Sequence, residues 1–137
     1  MSVDLEDFYC DLPFSMWDKF ESRVETTTNK ILELFEKYDT KATFFTLGYI
    51  AEKHPELIEK IVSNGHEIAS HGYYHTDIRK MTKLDFESDL KKSLSILRKI
   101  SGESVLGFRA PFFSIEEKNF WALDIIRKYV KYDSSIF

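Results

Sequence analysis

Apolar residues change their spacing several times along the chain, and each change marks an element. Ser2 to Leu5 reads as a short strand running straight into the acids Glu6 and Asp7. After an irregular aromatic stretch, Phe8 to Phe20, the residues Val24, Thr28, Ile31, Leu32 and Phe35 recur on one helical face. Ala42 to Leu47 is apolar on both sides, as in a buried parallel strand. Pro55 suits the first turn of a helix whose inner face is Leu57, Ile58, Ile61 and Val62, with Asn64-Gly65 as its stop. Glu67 to Ser70 is a third strand. Thr82 with Asp85 resembles a capping box ahead of a long helix carrying Phe86, Leu90, Leu94 and Leu97, stopped near Gly102. Val105 to Phe108 is a fourth strand. Ser114 with Glu117 reads as a second capping box before a helix bearing Trp121, Ile125 and Tyr129, and Val130 to Asp133 is a fifth strand.

The order βαβαβαβαβ implies parallel pairing through right-handed crossovers. Two architectures fit, an open doubly wound sheet and part of a (β/α) barrel. In both, function gathers where strands end. Those ends carry Asp4, Glu6 and Asp7, then Gly48, then His71 and His75, then Arg109, then Asp133.

Composition narrows the class. The chain has 137 residues, the length of one domain, with 43% apolar and 31% charged residues, so it is expected to fold as a globular α/β unit. A net charge of −4 without extended basic runs makes nucleic acid an unexpected partner. Cys10 stands alone, so no internal disulfide forms. No stretch reaches the roughly 20 apolar residues of a membrane span. The acidic start Met-Ser-Val-Asp-Leu-Glu-Asp lacks the features of a signal peptide, and a cytoplasmic location is expected for the chain as given.

His71 and His75 stand four residues apart, a spacing that puts two imidazoles on one face of a helical turn, in reach of one metal ion. Gly72 occupies the place of the glutamate in a His-Glu-x-x-His metalloprotease pattern, so any general base comes from elsewhere. Asp4 and Glu6 are two apart and point the same way from an extended strand. One suits a metal and the other a proton. Arg109, lone among apolar neighbours, calls for a carboxylate, and Asp4 or Asp133 is positioned to provide it. His54 and His66 read as structural or exposed, and Cys10 as a small buried residue. Tyr73, Phe112 and Phe113 flank the polar cluster and suit a sugar-stacking surface. Two histidines and a carboxylate also suit Fe(II) of an oxygenase, although the parallel α/β pattern and a spare acid at Asp4 argue against it.

These residues, in this order, resemble the NodB-type polysaccharide deacetylase family, carbohydrate esterase family 4. Its acidic first motif, commonly Thr-Phe-Asp-Asp-Gly, is matched by Ser2-Val3-Asp4-Leu5-Glu6-Asp7-Phe8, in an Asp-x-Glu-Asp version. Its His-(Ser/Thr)-x-x-His motif is matched by His71 to His75, apart from Gly72. Its Arg-x-Pro-Phe/Tyr motif is Arg109-Ala110-Pro111-Phe112, and the stretches 41–45 and 65–70 are also similar. The resemblance implies a (β/α) barrel, of which this chain supplies about the first five strands, and a metal-dependent hydrolase of N-acetylated sugars. It implies Asp4 as base, His71 and His75 as ligands of a divalent ion (Zn2+, with Co2+, Ni2+ or Mn2+ as alternatives), and Arg109 orienting the base. The common motif would put the carboxylate ligand at Leu5. The variant form makes it Glu6, preferred to Asp7 by strand alternation, with Asp7 and Asp133 in supporting places. Pro111, Phe112, Phe113 and Tyr73 would contact substrate. The family's late Leu-x-His, whose imidazole protonates the leaving amine, has no match, because the last histidine is His75. Residues 1–137 therefore read as a single domain shortened at its C-terminus, with a carbohydrate-binding or regulatory pseudoenzyme as the alternative to an enzyme.

Overall fold

The computed structural model describes residues 1–136; Phe137, the last residue of the expected domain, lies outside them. Five strands form one sheet: β1 (Ser2–Leu5), β2 (Thr43–Thr46), β3 (Glu67–Ser70), β4 (Gly107–Phe108) and β5 (Tyr132–Asp133). All neighbours are parallel and the spatial order follows the chain, β1-β2-β3-β4-β5. A doubly wound sheet reverses its strand order at a switch point. This one does not, so it is an arc of a (β/α) barrel.

The helices are α1 (Val24–Lys37), α2 (Gly48–Lys53), α3 (Pro55–Ser63), α4 (Lys83–Ser101) and α5 (Trp121–Ile126). The 24-28-32-35 stripe of α1 is buried as its spacing requires. Pro55 opens α3, and the Thr82 hydroxyl accepts from the Asp85 N–H to cap α4. The fourth and fifth strands are shorter than expected: Val105-Leu106 and Val130-Lys131 lie ahead of them, tied by the Lys131 and Tyr132 N–H groups donating to the Leu106 carbonyl. The expected Ser114/Glu117 box does not form. Ser114 Oγ instead donates to the Pro111 carbonyl and accepts from the Ile78 N–H, and the reciprocal cap is made by Glu116 and Asn119.

Alternation splits each strand between two environments. Leu5, Phe44, Ile68 and Phe108 enter the apolar core beneath the helices. The opposite face is the barrel interior, and it is polar. Thr43 Oγ1 and Tyr132 Oη both donate to the Glu67 carboxylate, at 2.7 and 2.9 Å. The Tyr132 ring lies over Gly107, where a Cβ would collide with it. Above this layer sit Asp4, Phe45 and the Arg109 side chain.

The turn after β1 is fixed by Asp7. Its Oδ2 accepts from Ser22 Oγ at 2.6 Å, from the Arg23 N–H at 3.0 Å and from the Val24 N–H at 3.3 Å. A carboxylate from far along the chain thus caps α1, satisfying N–H groups that a helix start leaves open and meeting the positive end of the helix dipole. Asp7→Ala would strand these donors in a buried place. It is expected to lower the free energy of unfolding by about 1–3 kcal/mol, read from the midpoint of a urea titration. An unchanged midpoint would show that α1 needs no such cap.

Candidate metal centre

Backbone bonds extend the sheet past its strand ends and carry the polar residues into place. The His71 N–H donates to the Thr46 carbonyl and the Gly48 N–H to the Gly72 carbonyl, continuing the pairing of β2 with β3. The Arg109 N–H donates to the Ser70 carbonyl and the Ser134 N–H to that of Phe108. The 71–75 segment is an irregular bend, where its spacing suggested a helical turn. Gly72 takes φ +80°, and the Asp89 carboxylate of α4 accepts from the N–H groups of Tyr73 and Tyr74 at 2.8 and 3.2 Å. A Cβ at position 72 would approach Asp89 Oδ2 to 3.0 Å. Glycine at 72, in place of a hydroxyl residue, thus suits both the backbone angle and the half-buried acid. Burial pushes the Asp89 carboxyl above its ordinary range, while the two N–H donors pull it back.

The bend leaves the His71 and His75 rings 5.2 Å apart, facing Glu6 from the end of β1. One donor atom from each of Glu6, His71 and His75 lies within 4.8 Å of the others. Asp7, bound to α1, is not in the group. His71 Nδ1 lies 2.7 Å from the Arg109 carbonyl oxygen and must carry a proton to bond it, which leaves Nε2 with its lone pair free. Glu6 Oε2 lies 2.9 Å from His75 Nε2, but the pair is misaligned for a hydrogen bond. Among the described residues Glu6 Oε2 is thus a buried oxygen in close contact with an imidazole but without a hydrogen-bond partner. A carboxylate oxygen facing two imidazoles is a set of donors that could hold a divalent cation. Each donor sits roughly 2.0–2.2 Å from a zinc ion, so small side-chain rotations would bring the three onto one centre.

Arg109 organises the other half. Its Nη1 donates to Asp4 Oδ1 at 2.7 Å, its Nη2 to Ser2 Oγ and Ser134 Oγ, and its guanidinium lies 4.0 Å from the centre of the Phe45 ring. Asp133 is not its direct partner. That carboxylate accepts from the N–H and Oγ of Ser135, whose Oγ accepts from the Ala110 N–H and so braces the turn after β4.

The expected stacking surface is half as large as predicted. Tyr73 is 4% exposed and its hydroxyl donates to Glu52, so it belongs to the core, and Pro111 is also buried. Phe112 and Phe113 are exposed, both with left-handed φ (56° and 47°) that glycine would normally take. Such backbone costs of order 1–3 kcal/mol per residue. It holds the Phe112 ring 4.4 Å from that of His75. A cavity of about 280 Å³ opens beside His75, lined by Asp11, Phe14, Trp17, Tyr74 and Phe112 among others. Phe14 and Trp17 of that wall come from the irregular 8–20 stretch, which periodicity does not reach. His54 and His66 are elsewhere: the first lies 2.7 Å from Glu25, and the second accepts from the Ala42 N–H.

The family model for polysaccharide deacetylases matches residues 13–127, and the chain belongs to that family. It is 34% identical over 98 residues to a peptidoglycan-N-acetylglucosamine deacetylase of Bacillus cereus, covering 71% of this chain and 36% of that protein. It is 34% identical over 107 residues to a peptidoglycan deacetylase of Helicobacter pylori, covering 78% and 36%. A crystal structure from Mycobacterium smegmatis, of a protein assigned to the polysaccharide deacetylases, superposes with a TM-score of 0.83 at 24% identity, over 98% of this chain and 49% of that one. The fold of a Bacillus anthracis pseudoenzyme of carbohydrate esterase family 4 is also similar, with a TM-score of 0.71 at 22% identity, over 80% and 38%. The chain spans about a third of the length of these two curated relatives.

Burial lowers the His71 pKa, against the opposing pull of Asp4 and Glu6, and the neighbouring His75 lowers it further. The unfolded imidazole titrates near 6.5. With the folded value below that, the unfolded chain takes up the proton first, so stability is full above about pH 6.5 and falls as pH drops below it. Relative to His71→Asn, which does not titrate, the metal-free wild type is expected to lose stability between about pH 7 and pH 5, measured as paired urea midpoints. A constant difference across that range would contradict the assignment of a neutral His71.

Proposed function

We propose that this chain carries the metal and base half of a deacetylase site acting on N-acetylated amino sugars of a glycan. The observation that carries the reading is the buried, unbonded Glu6 oxygen facing His71 and His75. The names of the relatives, deacetylases of peptidoglycan, support the substrate class. Glu6, His71 and His75 would hold a divalent ion, with zinc the best fit to one carboxylate and two imidazoles. When bound, that ion supplies polarisation of the acetamide carbonyl and a more acidic water.

The remaining work falls to the chain's own groups. Asp4, seated by Arg109, takes a proton from the attacking water. The Arg109 guanidinium holds the base through a charged hydrogen bond while its carbonyl fixes the His71 ring. Phe112 and the aromatic cavity wall offer a face for a pyranose ring. A glycan-binding pseudoenzyme is the second reading, and it concerns the described residues alone. His54 and His66 are both engaged away from the site, so neither protonates a leaving amine there.

Variants separate the roles. Glu6→Ala is expected to lose stoichiometric zinc in elemental analysis. Asp4→Asn should keep the metal and lose roughly 10²–10⁴-fold in turnover of N-acetylglucosamine oligomers. Arg109→Ala should resemble Asp4→Asn more than Glu6→Ala. Zinc lost from Asp4→Asn and kept by Glu6→Ala would reverse the two roles. A wild type that binds zinc and glycan with no acetate release would favour the glycan-binding reading.

A further inference from the structure

His71 and His75 differ in one respect. The outer nitrogen of His71 has its acceptor, the Arg109 carbonyl, whereas that of His75 does not. Among the described residues His75 Nδ1 is buried without a hydrogen-bond partner. A buried N–H left in that state costs about 1–3 kcal/mol. The acceptor the structure places within reach is Asp11 Oδ1, 3.2 Å away but off the line of a hydrogen bond. His75 itself is 4% exposed in its side chain, and Asp11 is 68% exposed.

Asp11 is not a loose surface acid. It follows the buried Tyr9 and Cys10, in a turn closed by the Cys10 N–H to the Asp7 carbonyl and the Leu12 N–H to the Tyr9 carbonyl. Trp17, 3% exposed, pins the strap from the other side, its Nε1 donating to the Leu12 carbonyl at 2.9 Å. Asp7, one turn earlier, is fastened to α1. The strap therefore presents a carboxylate to His75 from a fixed base.

We propose that Asp11 is a positioning residue for His75: its carboxylate accepts the Nδ1 proton, sets the tautomer in which Nε2 carries the lone pair, and raises the affinity of the site for a divalent cation. This rests on the reading of Glu6, His71 and His75 as the ligand set. A ligating histidine usually donates its other ring N–H to a carboxylate or carbonyl, and loss of that partner typically weakens metal binding about 10–100-fold. The two imidazoles would then be held alike, one by a carbonyl of the β4 end and one by a carboxylate of the strap after β1. Because Asp11 also lines the aromatic cavity, the same strap joins the glycan wall to the ligand set.

The test is zinc affinity of the 137-residue chain by competition with a chromophoric chelator. Asp11→Ala is expected to bind zinc about 10–100-fold more weakly than wild type, and Asp11→Asn, which keeps an acceptor and loses the charge, to fall between. Asp18→Ala, which removes an equal charge from an exposed place on the same strap, should bind as wild type. In zinc-loaded, 15N-labelled protein the His75 Nδ1 proton should give a slowly exchanging signal that Asp11→Ala removes, a readout that a merely structural residue would not move. Wild-type zinc affinity in Asp11→Ala, or an equal loss in Asp18→Ala, would overturn the proposal while leaving the ligand set intact. A wild type without stoichiometric zinc would overturn the ligand set itself.

Discussion

Arg109 is the residue on which both halves of the site depend. Its guanidinium spans the barrel interior from β4 to Asp4 and Ser2 on β1 and to Ser134 beyond β5, and its carbonyl meets His71. A charge taken from water needs a geometrically good partner and further hydrogen bonds to offset desolvation. Here Asp4 supplies the opposite charge, two hydroxyls and the Ser134 carbonyl take three more of the donors, and the Phe45 ring covers one face. Removing the Arg109 side chain would free Asp4 while leaving the backbone carbonyl that holds the His71 ring in place.

The polar barrel interior follows from the same constraint. The face of the sheet turned to the helices is apolar and packs as a core. The other face must accommodate Arg109, Asp4 and Glu67, so their neighbours are hydroxyls, an aromatic ring and a glycine rather than branched aliphatics. Asp89, Asp7 and Asp133 are the second set of supports. Each carboxylate accepts backbone N–H groups and fixes a turn: the histidine bend, the start of α1, and the segment after β5. These acids shape the loops that hold the donors, and none of them is grouped with the imidazoles.

Much of this could be read from the sequence because it depends on periodicity. Alternation along β1 put Asp4 and Glu6 on one side and Leu5 on the other, and it separated Glu6 from Asp7. The stripes of α1, α3 and α4 followed their spacing. What escaped lies where no period operates. The short α2 was hidden because it abuts Pro55 directly. Tyr73 and Tyr74 are adjacent in a bend, and nothing local says which ring turns inward. Asp11 sits in the irregular aromatic stretch. Asp89 did leave a trace: it stands three residues after Phe86 and four before Ser93, both buried, so it is an acid on the buried stripe of α4. A charge in that place calls for a buried partner, and the partner is the backbone of the histidine bend.

The most direct measurement is a crystal structure of the zinc-loaded chain. The account predicts one ion held by a Glu6 oxygen, His71 Nε2 and His75 Nε2 at roughly 2.0–2.2 Å, with Asp4 still bound to Arg109 and His71 Nδ1 still on the Arg109 carbonyl. An ion ligated by Asp4 or Asp7, or by His71 through Nδ1, would contradict it.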